Sequence, residues 1–274
     1  MYLIFLLTAV LVTALPAQSA DAVVRDRVAF TDWLRTSSNS PLAAIMRQPI
    51  GPGLSLGPTG ADVPLAGVAE HRLVESDGRV TMRGPEGTRS VPRGVPTRLG
   101  DYTMTVDGPA GGAVLTAFGP SRKDYTADYY SYEPGLVFTG QLIPPSRRGV
   151  VRVLGLDGVE VDAVEAGTVL VPLGGRTTRL TVRRLPTGGE ESELEIFFRD
   201  STNGQETYPA GRFVELIPAG EGRHRLDFNR ARNPFCAYNP AYPCPAPWQG
   251  NILPAPVRAG ERYRGQGLEV PMSR

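Results

Sequence analysis

Two stretches in the last third of the chain carry the side chains best suited to chemistry: FFRDSTNGQETYPAGRFVEL and LDFNRARNPFCAYNPAYPCPAPWQGNILPAPVRAGE. The first holds Arg199, Asp200, Glu206, Tyr208 and Arg212. The second holds Asp227, Asn229, Asn233, Cys236, Asn239 and Cys244. A carboxylate pair drawn from Asp200, Glu206 and Asp227 could serve as acid and base in hydrolysis, provided the two groups sit ~5–9 Å apart. Arg199 and Arg212 could instead neutralise the first two, or hold an anionic ligand through charge-assisted hydrogen bonds. Cys236 and Cys244 lie close in sequence. In an exported chain a disulfide is the default, and closing so short a loop adds about 2–3 kcal/mol in the chain-entropy account. Reduced structural thiols remain an alternative. So does a zinc site of Cys236, Cys244, His224 and Asp227, which would supply four ligands. A Cys–His hydrolase would need one thiol free and near His224 or His71. No nucleophile elbow, phosphate-binding loop or His-x-x-x-His pair occurs, and no metal or cofactor is expected.

What must position these groups is a bend and a cover. Asn203-Gly204 is a strong type I′ hairpin signal. If it closes a two-residue turn, Thr202 faces Gln205, Asp200 faces Thr207, and Arg199 faces Tyr208, with Arg199 diagonal to Glu206. Alternation puts Leu194, Ile196 and Phe198 on one face, and Asp200 continues it. Arg212, Val214 and Leu216 share a parity that an unbroken ladder would send to the other face. One extra residue at Pro209-Ala210-Gly211 restores the register, so a β-bulge is expected there. Asp200 and Arg212 then point into one recess, as an ion pair supported by Thr207 or as the floor of a ligand site. From Asn229 to Pro256 the prolines forbid regular structure. The aromatics and cysteines within argue for an ordered loop strapped over one end of a β domain, with Asn229, Asn233, Asn239 and Asn251 satisfying backbone groups.

The remainder reads as short strands and turns. Thirty-two glycines and 26 prolines punctuate runs such as GDYTMTVDG, GAVLTAFG, VVRVLGLDGVEVDAV and TVLVPLGGRTTRLTVRRL, and Asp77-Gly78 marks a hairpin. Helical character is confined to residues 23–50. Val24, Val28, Trp33 and Leu34 give one helix an apolar side, and Ser40-Pro41 looks like the start of a second over LAAIMRQ. Apolar residues make up 41% of the chain and charged ones 21%, enough for a packed core, and the formal net charge of +1 argues against a nucleic-acid partner. Lys123 is the single lysine, read as coding bias. Residues 1–20 carry no charge, and the apolar run Leu3–Leu15 is too short to span a bilayer. With small residues to Ala22 this reads as a signal peptide over 1–22, either cleaved or kept as an anchor. Export is expected, to the periplasm, envelope or exterior, with no stable transmembrane segment once the signal is cleaved.

FFRDSTNGQETYPAGRF, DFNRARNPFCAYNPAYPCP and NILPAPVRAGE, with YYSYEPGLVFTGQLIPP before them, resemble the bacterial and archaeal domain of unknown function, family number 1684. The likeness runs over roughly residues 30–263. It implies a mostly β protein, brings no activity with it, and points to Arg199, Asp200, Glu206, Tyr208, Arg212, Asp227, Asn229, Asn233, Cys236 and Asn239. GPGLSLGPTGADVPLAGVAEHRLVESDGRVTMRG is similar to the opening of a forkhead-associated domain, a β-sandwich that reads phosphothreonine. Pro58 after Gly57 and Ala69 near His71 depart from its anion-binding pattern, so the resemblance implies the fold and not phosphopeptide binding. The expected architecture is mostly β, with two sandwich- or barrel-like units: 51–125, forkhead-associated-like, and 126–265, family-specific. The boundary falls in Ser121–Glu133, and a tail covers 266–274. The expected function is non-catalytic binding of a small polar or anionic ligand, or of a cell-envelope partner. A hydrolase using Asp200, Glu206 or Asp227 is the alternative.

Overall fold

The computed structural model describes residues 20–120, 124–147, 149–186, 192–246, 248 and 250–265. Most of the signal-peptide expectation and all of the expected tail therefore lie outside the described residues. A helix, α1 (Ala20–Thr36), opens the described chain. Its buried face is Val23, Phe30 and Leu34, whereas Val24 and Val28, expected on the apolar side, are exposed. The helix is anchored by Arg27, whose guanidinium donates to the Tyr130 and Asn229 carbonyls.

The second expected helix is absent. A single 3-10 turn at Pro41–Ala43 leads straight into β1 (Ala44–Pro49). Ser40 does not cap it; its hydroxyl donates back to the Leu34 carbonyl at the end of α1. The run between Pro41 and Pro49 is too short to repay helix nucleation, and pairing along a strand edge satisfies the same backbone groups.

The first unit continues with β2 (Leu54–Gly57), β3 (Val63–Pro64), β4 (His71–Ser76), β5 (Arg79–Gly84), β6 (Gly87–Ser90), β7 (Thr97–Leu99), β8 (Tyr102–Asp107) and β9 (Val114–Phe118). Two sheets result, ordered β1-β9-β8-β7 and β3-β2-β4-β5-β6. They enclose one core, Leu54, Leu56, Leu73 and Met82 from one sheet against Met104, Val106, Leu115 and Ala117 from the other, which makes a sandwich. Because β1 is an edge of that sandwich, the unit starts before residue 51. The Asp77-Gly78 hairpin forms as expected, with both residues at positive φ and Ser76 opposite Arg79.

The second unit comprises β10 (Val137–Gln141), β11 (Val150–Leu154), β12 (Glu160–Leu173), β13 (Arg176–Pro186), β14 (Ser192–Phe198), β15 (Arg212–Pro218) and β16 (Arg223–Asp227). They form one seven-stranded sheet, ordered β10-β16-β15-β14-β13-β12-β11. Alternation divides its side chains as expected. Leu194, Ile196, Phe198, Val214 and Leu216 face a core closed by Leu253, Val257 and Ala259. Phe197 and Phe213 face the other way, against Trp248. None of the three sheets closes into a barrel. Among the described residues no helix is long and apolar enough to cross a membrane.

The proline-rich segment is ordered, with short 3-10 turns at Phe228–Arg230 and Phe235–Ala237. It does more than cover one end of the second unit. Cys236 and Tyr242 pack with Ala43, Ala44 and Phe118, and Tyr238 packs with Phe30, Leu34 and Leu42. The strap is therefore wedged between the sandwich, α1 and the large sheet.

Candidate functional site

The residues singled out by sequence form a sealed latch. Arg212 and the Asp200 carboxylate are fully buried, 2.9 Å apart. One Arg212 amino group also donates to the Val257 carbonyl, and the other to those of Ala259 and Glu261. Asp200 accepts in turn from the Thr202 and Val257 amides. With both amino groups engaged and only Nε unpartnered among the described residues, inside the fold, the guanidinium presents no donor fork to a ligand. The expected recess exists, but the protein's own C-terminal segment fills it.

The route to that recess differs from the expected hairpin. β14 and β15 pair only up to Phe198 opposite Arg212, so 199–211 is a loop; the expected pairs of Asp200 and Arg199 do not form, and of the Thr202–Gln205 pair only the bond from the Gln205 amide to the Thr202 carbonyl is made. Asn203 lacks the positive φ that a type I′ turn requires. Its side chain accepts from the Asp200 amide and donates to the Tyr208 carbonyl, while the Thr202 carbonyl collects the amides of Gln205, Glu206 and Thr207. Arg199 pairs instead with the strap: its amide donates to Asn251, and its carbonyl accepts from Leu253. Thr207 bonds Thr202 and Asn203, not the ion pair. The return to register runs through Gly211, at φ +121°, where a Cβ would lie 2.5 Å from the Phe198 carbonyl oxygen.

Of the remaining candidates, Asp227 and the asparagines hold backbone, whereas Glu206 and Tyr208 contact side chains. Glu206 binds Arg258 and accepts from the Tyr130 hydroxyl, and the Arg258 contact lowers its carboxyl. Its expected partner, Arg199, is not involved. Asp227 caps the turn after β16 by accepting the Asn229 amide. Asn229 bonds both backbone groups of Glu133, and Asn233 donates to the Arg262 carbonyl. Asn239 ties the strap to the Pro41 and Ala44 carbonyls. Asn251 bridges the Thr181 amide and carbonyl to the Phe197 carbonyl. Tyr208 stacks edge-on with Tyr263, and its hydroxyl lies 3.2 Å from Cys244 Sγ. Cys236 and Cys244 are placed as a disulfide pair, Cα atoms 5.5 Å apart. His71 sits in the sandwich with Nδ1 2.7 Å from the Ala69 carbonyl, and His224 lies on β16 opposite Gly140. Neither histidine enters the latch.

Sequence reasoning did not single out Glu261. Its carboxylate is fully buried and accepts from the Tyr238 hydroxyl and the Asn233 amide. Burial outweighs these hydrogen bonds and pushes its pKa up to about 7.

The open space lies elsewhere. A cleft of about 960 Å³ separates the sandwich from the large sheet, within the range of small-molecule sites. One wall is the outer face of the first sheet, where cross-strand pairing sets Arg47, Thr116 and Thr105 in a row, with Asp107 beyond. The opposite wall is the turn Gly155–Val159 between β11 and β12, together with Leu185, Glu193 and Glu195. Trp33 of α1 and Phe235 and Tyr242 of the strap complete the lining.

The cleft is electrostatically tense. Burial, reinforced by Glu193, Asp157 and Glu215, pushes the Glu195 pKa up to about 8. Its Oε2 is buried and has no hydrogen-bond partner among the described residues. Arg183 is opposite Glu195 in the ladder but lays its guanidinium over Trp248, 4.4 Å from the ring centroid. Burial also raises Asp107, against a hydrogen bond from Thr105. Asp157 is exposed to solvent and accepts from the Val159 amide, and Arg47 favours its charged form. None of these carboxylates was legible as a site. Asp157 lay inside the run VVRVLGLDGVEVDAV, and Asp107 and Glu195 fell within strands.

A protein-family model described as Protein of unknown function (DUF1684) matches residues 125–262. The match begins after the sandwich, so it lends the forkhead-associated resemblance of that unit no support. An uncharacterised protein of Haloarcula marismortui, whose structure was solved by solution NMR, is 30% identical. The alignment covers 53% of this chain and 81% of that one, at a TM-score of 0.45. No curated protein matches the chain.

Proposed function

We propose, from the premise that the chain belongs to the DUF1684 family, that it is a non-catalytic binding module whose small polar ligand occupies the cleft between the sandwich and the large sheet. The observation that carries this reading is the contrast between two polar clusters. Around Asp200 and Arg212 both amino groups of the guanidinium meet acceptors, only its Nε lacks a partner among the described residues, and carbonyls of residues 257–261 close over the pair. In the cleft, about 960 Å³ is open beside Glu195, whose Oε2 has no partner among the described residues. The carboxylates considered for hydrolysis support a structural duty, since Asp200 is held by Arg212, Asp227 by Asn229 and Glu206 by Arg258. The uncharged apolar leader and the Cys236–Cys244 pair support export.

A thermal-shift screen of sugars, amines, nucleotides and carboxylates against the full chain and Asp157→Asn tests the site. Asparagine keeps the acceptor for the Val159 amide, so the turn survives. A compound that stabilises the wild type and loses most of that effect in Asp157→Asn supports the cleft. Equal shifts in both proteins would place binding elsewhere.

A second reading has one observation in its favour: a glutamate that keeps its proton to about pH 8 is suited to general acid catalysis. Release of nitrophenol from nitrophenyl glycosides by the wild type but not by Glu195→Gln would establish it.

A further inference from the structure

We infer that the cleft takes an organic cation, a protonated amine drawn between Asp107, Asp157 and Glu195 and flanked by the rings of Trp33 and Tyr242. The inference rests on the cleft being the binding site and names the chemistry of its occupant.

Among the described residues the lining carries four carboxylates, Asp107, Asp157, Glu193 and Glu195, against one guanidinium, Arg47. That guanidinium is already committed: it donates to the Gly158 carbonyl and lies 5.8 Å from the Tyr242 ring centroid. The carboxylates act on one another unfavourably. Burial raises Asp107, with Asp157 adding to it against Arg47 and Arg93, and burial raises Glu195, with Glu193, Asp157 and Glu215 adding to it, while Arg232 is the only cation among the leading influences on Glu195. Independently of charge, the buried Oε2 of Glu195 has no donor among the described residues, and an unpaired buried acceptor is a cost that a ligand N–H reaching it would relieve.

Two alternatives fit less well. Among the described residues no group of three or more His, Cys, Asp or Glu side chains is placed to hold a metal ion. A neutral polyol could donate to Glu195 but would bring no positive charge to the acidic lining. An ammonium supplies both the donor and the charge, and aromatic faces attract it as well.

The test is isothermal titration calorimetry of the full chain at pH 7.5 with cadaverine and, separately, maltose, repeated in buffers of different ionisation enthalpy. Cadaverine is expected to bind with release of protons, because a nearby cation favours the ionised form of Glu195. Maltose is expected not to bind. Glu195→Gln should weaken cadaverine about tenfold and abolish the proton release. Asp157→Asn, whose fold circular dichroism checks, should weaken binding with the release retained. Maltose bound and cadaverine not would overturn the cation and leave the cleft standing as a site. Neither ligand bound would sink both. Cadaverine bound equally by wild type and both variants would mean non-specific attraction to surface charge and would overturn the inference.

Discussion

Replacing Arg212 by methionine is the sharpest test of how the second unit is held together. The substitution preserves most of the buried volume and removes the fork. Asp200 would keep the Thr202 and Val257 amides but lose its counter-charge in a site with no solvent contact. The carbonyls of Val257, Ala259 and Glu261 would lose their donors together. Removing one partner of a buried pair costs about 3–5 kcal/mol, and each orphaned carbonyl adds about 1–3 kcal/mol unless it moves to water. The expected loss is at least about 4 kcal/mol, a large part of the ~5–15 kcal/mol available to a folded protein. Urea denaturation of the wild type, Arg212→Met, Asp200→Asn and the double variant measures it. Asp200→Asn should cost less, because Arg212 keeps its three carbonyls, and the pair should show a coupling of about 1–3 kcal/mol. Because those carbonyls belong to residues 257–261, limited proteolysis of Arg212→Met should cut there first. A loss below about 0.5 kcal/mol for Arg212→Met would refute the latch.

Glu261 predicts an unusual pH dependence. Its carboxyl is raised from 4.5 to about 7 in the fold, so between those values the folded chain holds a proton that the unfolded chain has released. Its contribution to stability is complete below about pH 4.5 and is lost as pH rises through about 7, a change on the order of 3 kcal/mol. Denaturation midpoints from pH 5 to 8 should fall for the wild type and less steeply for Glu261→Gln, which still accepts from Tyr238 and Asn233 and in which the slope from Glu195 remains; parallel curves would contradict the assignment. For the cysteines, mass spectrometry of the unreduced protein should find Cys236 linked to Cys244. The double serine variant should lose about 2–3 kcal/mol, and two alkylatable thiols in the wild type would refute the link.

The residues that sequence made legible are those governed by local rules. Alternation placed Leu194, Ile196, Phe198, Val214 and Leu216 on one face. Asp77-Gly78 closed its hairpin, and asparagines in a proline-rich segment bonded backbone groups. The pairing of Asp200 with Arg212 was foreseen, but by the wrong path. A charge continuing an apolar face needs a partner however the chain returns, so the pair survived the failure of the hairpin. That hairpin failed because the strap competes for the same edge: Arg199 bonds Asn251 and Leu253, a contact made by residues about fifty positions away in sequence. Distance in sequence also hid the cleft. Thr105 and Asp107 read as ordinary strand residues, and only the packing of the outer sheet face against the turn at Asp157 gives them a common space. On α1 the apolar stripe misled because Val23, not Val24, turns inward, while Arg27 on the same side binds carbonyls of the second unit.

The most direct measurement is a set of amide nitrogen–proton spectra of the full chain, titrated in turn with cadaverine and with maltose. If a ligand enters the cleft, the resonances that move belong to Thr105, Thr116, Asp157 and Glu195, while Asp200, Arg212 and Asn229 stay still. Movement confined to Asp200, Arg212 and Asn229, with the other four silent, would mean that the latch opens to receive the ligand and that the cleft is not the binding site.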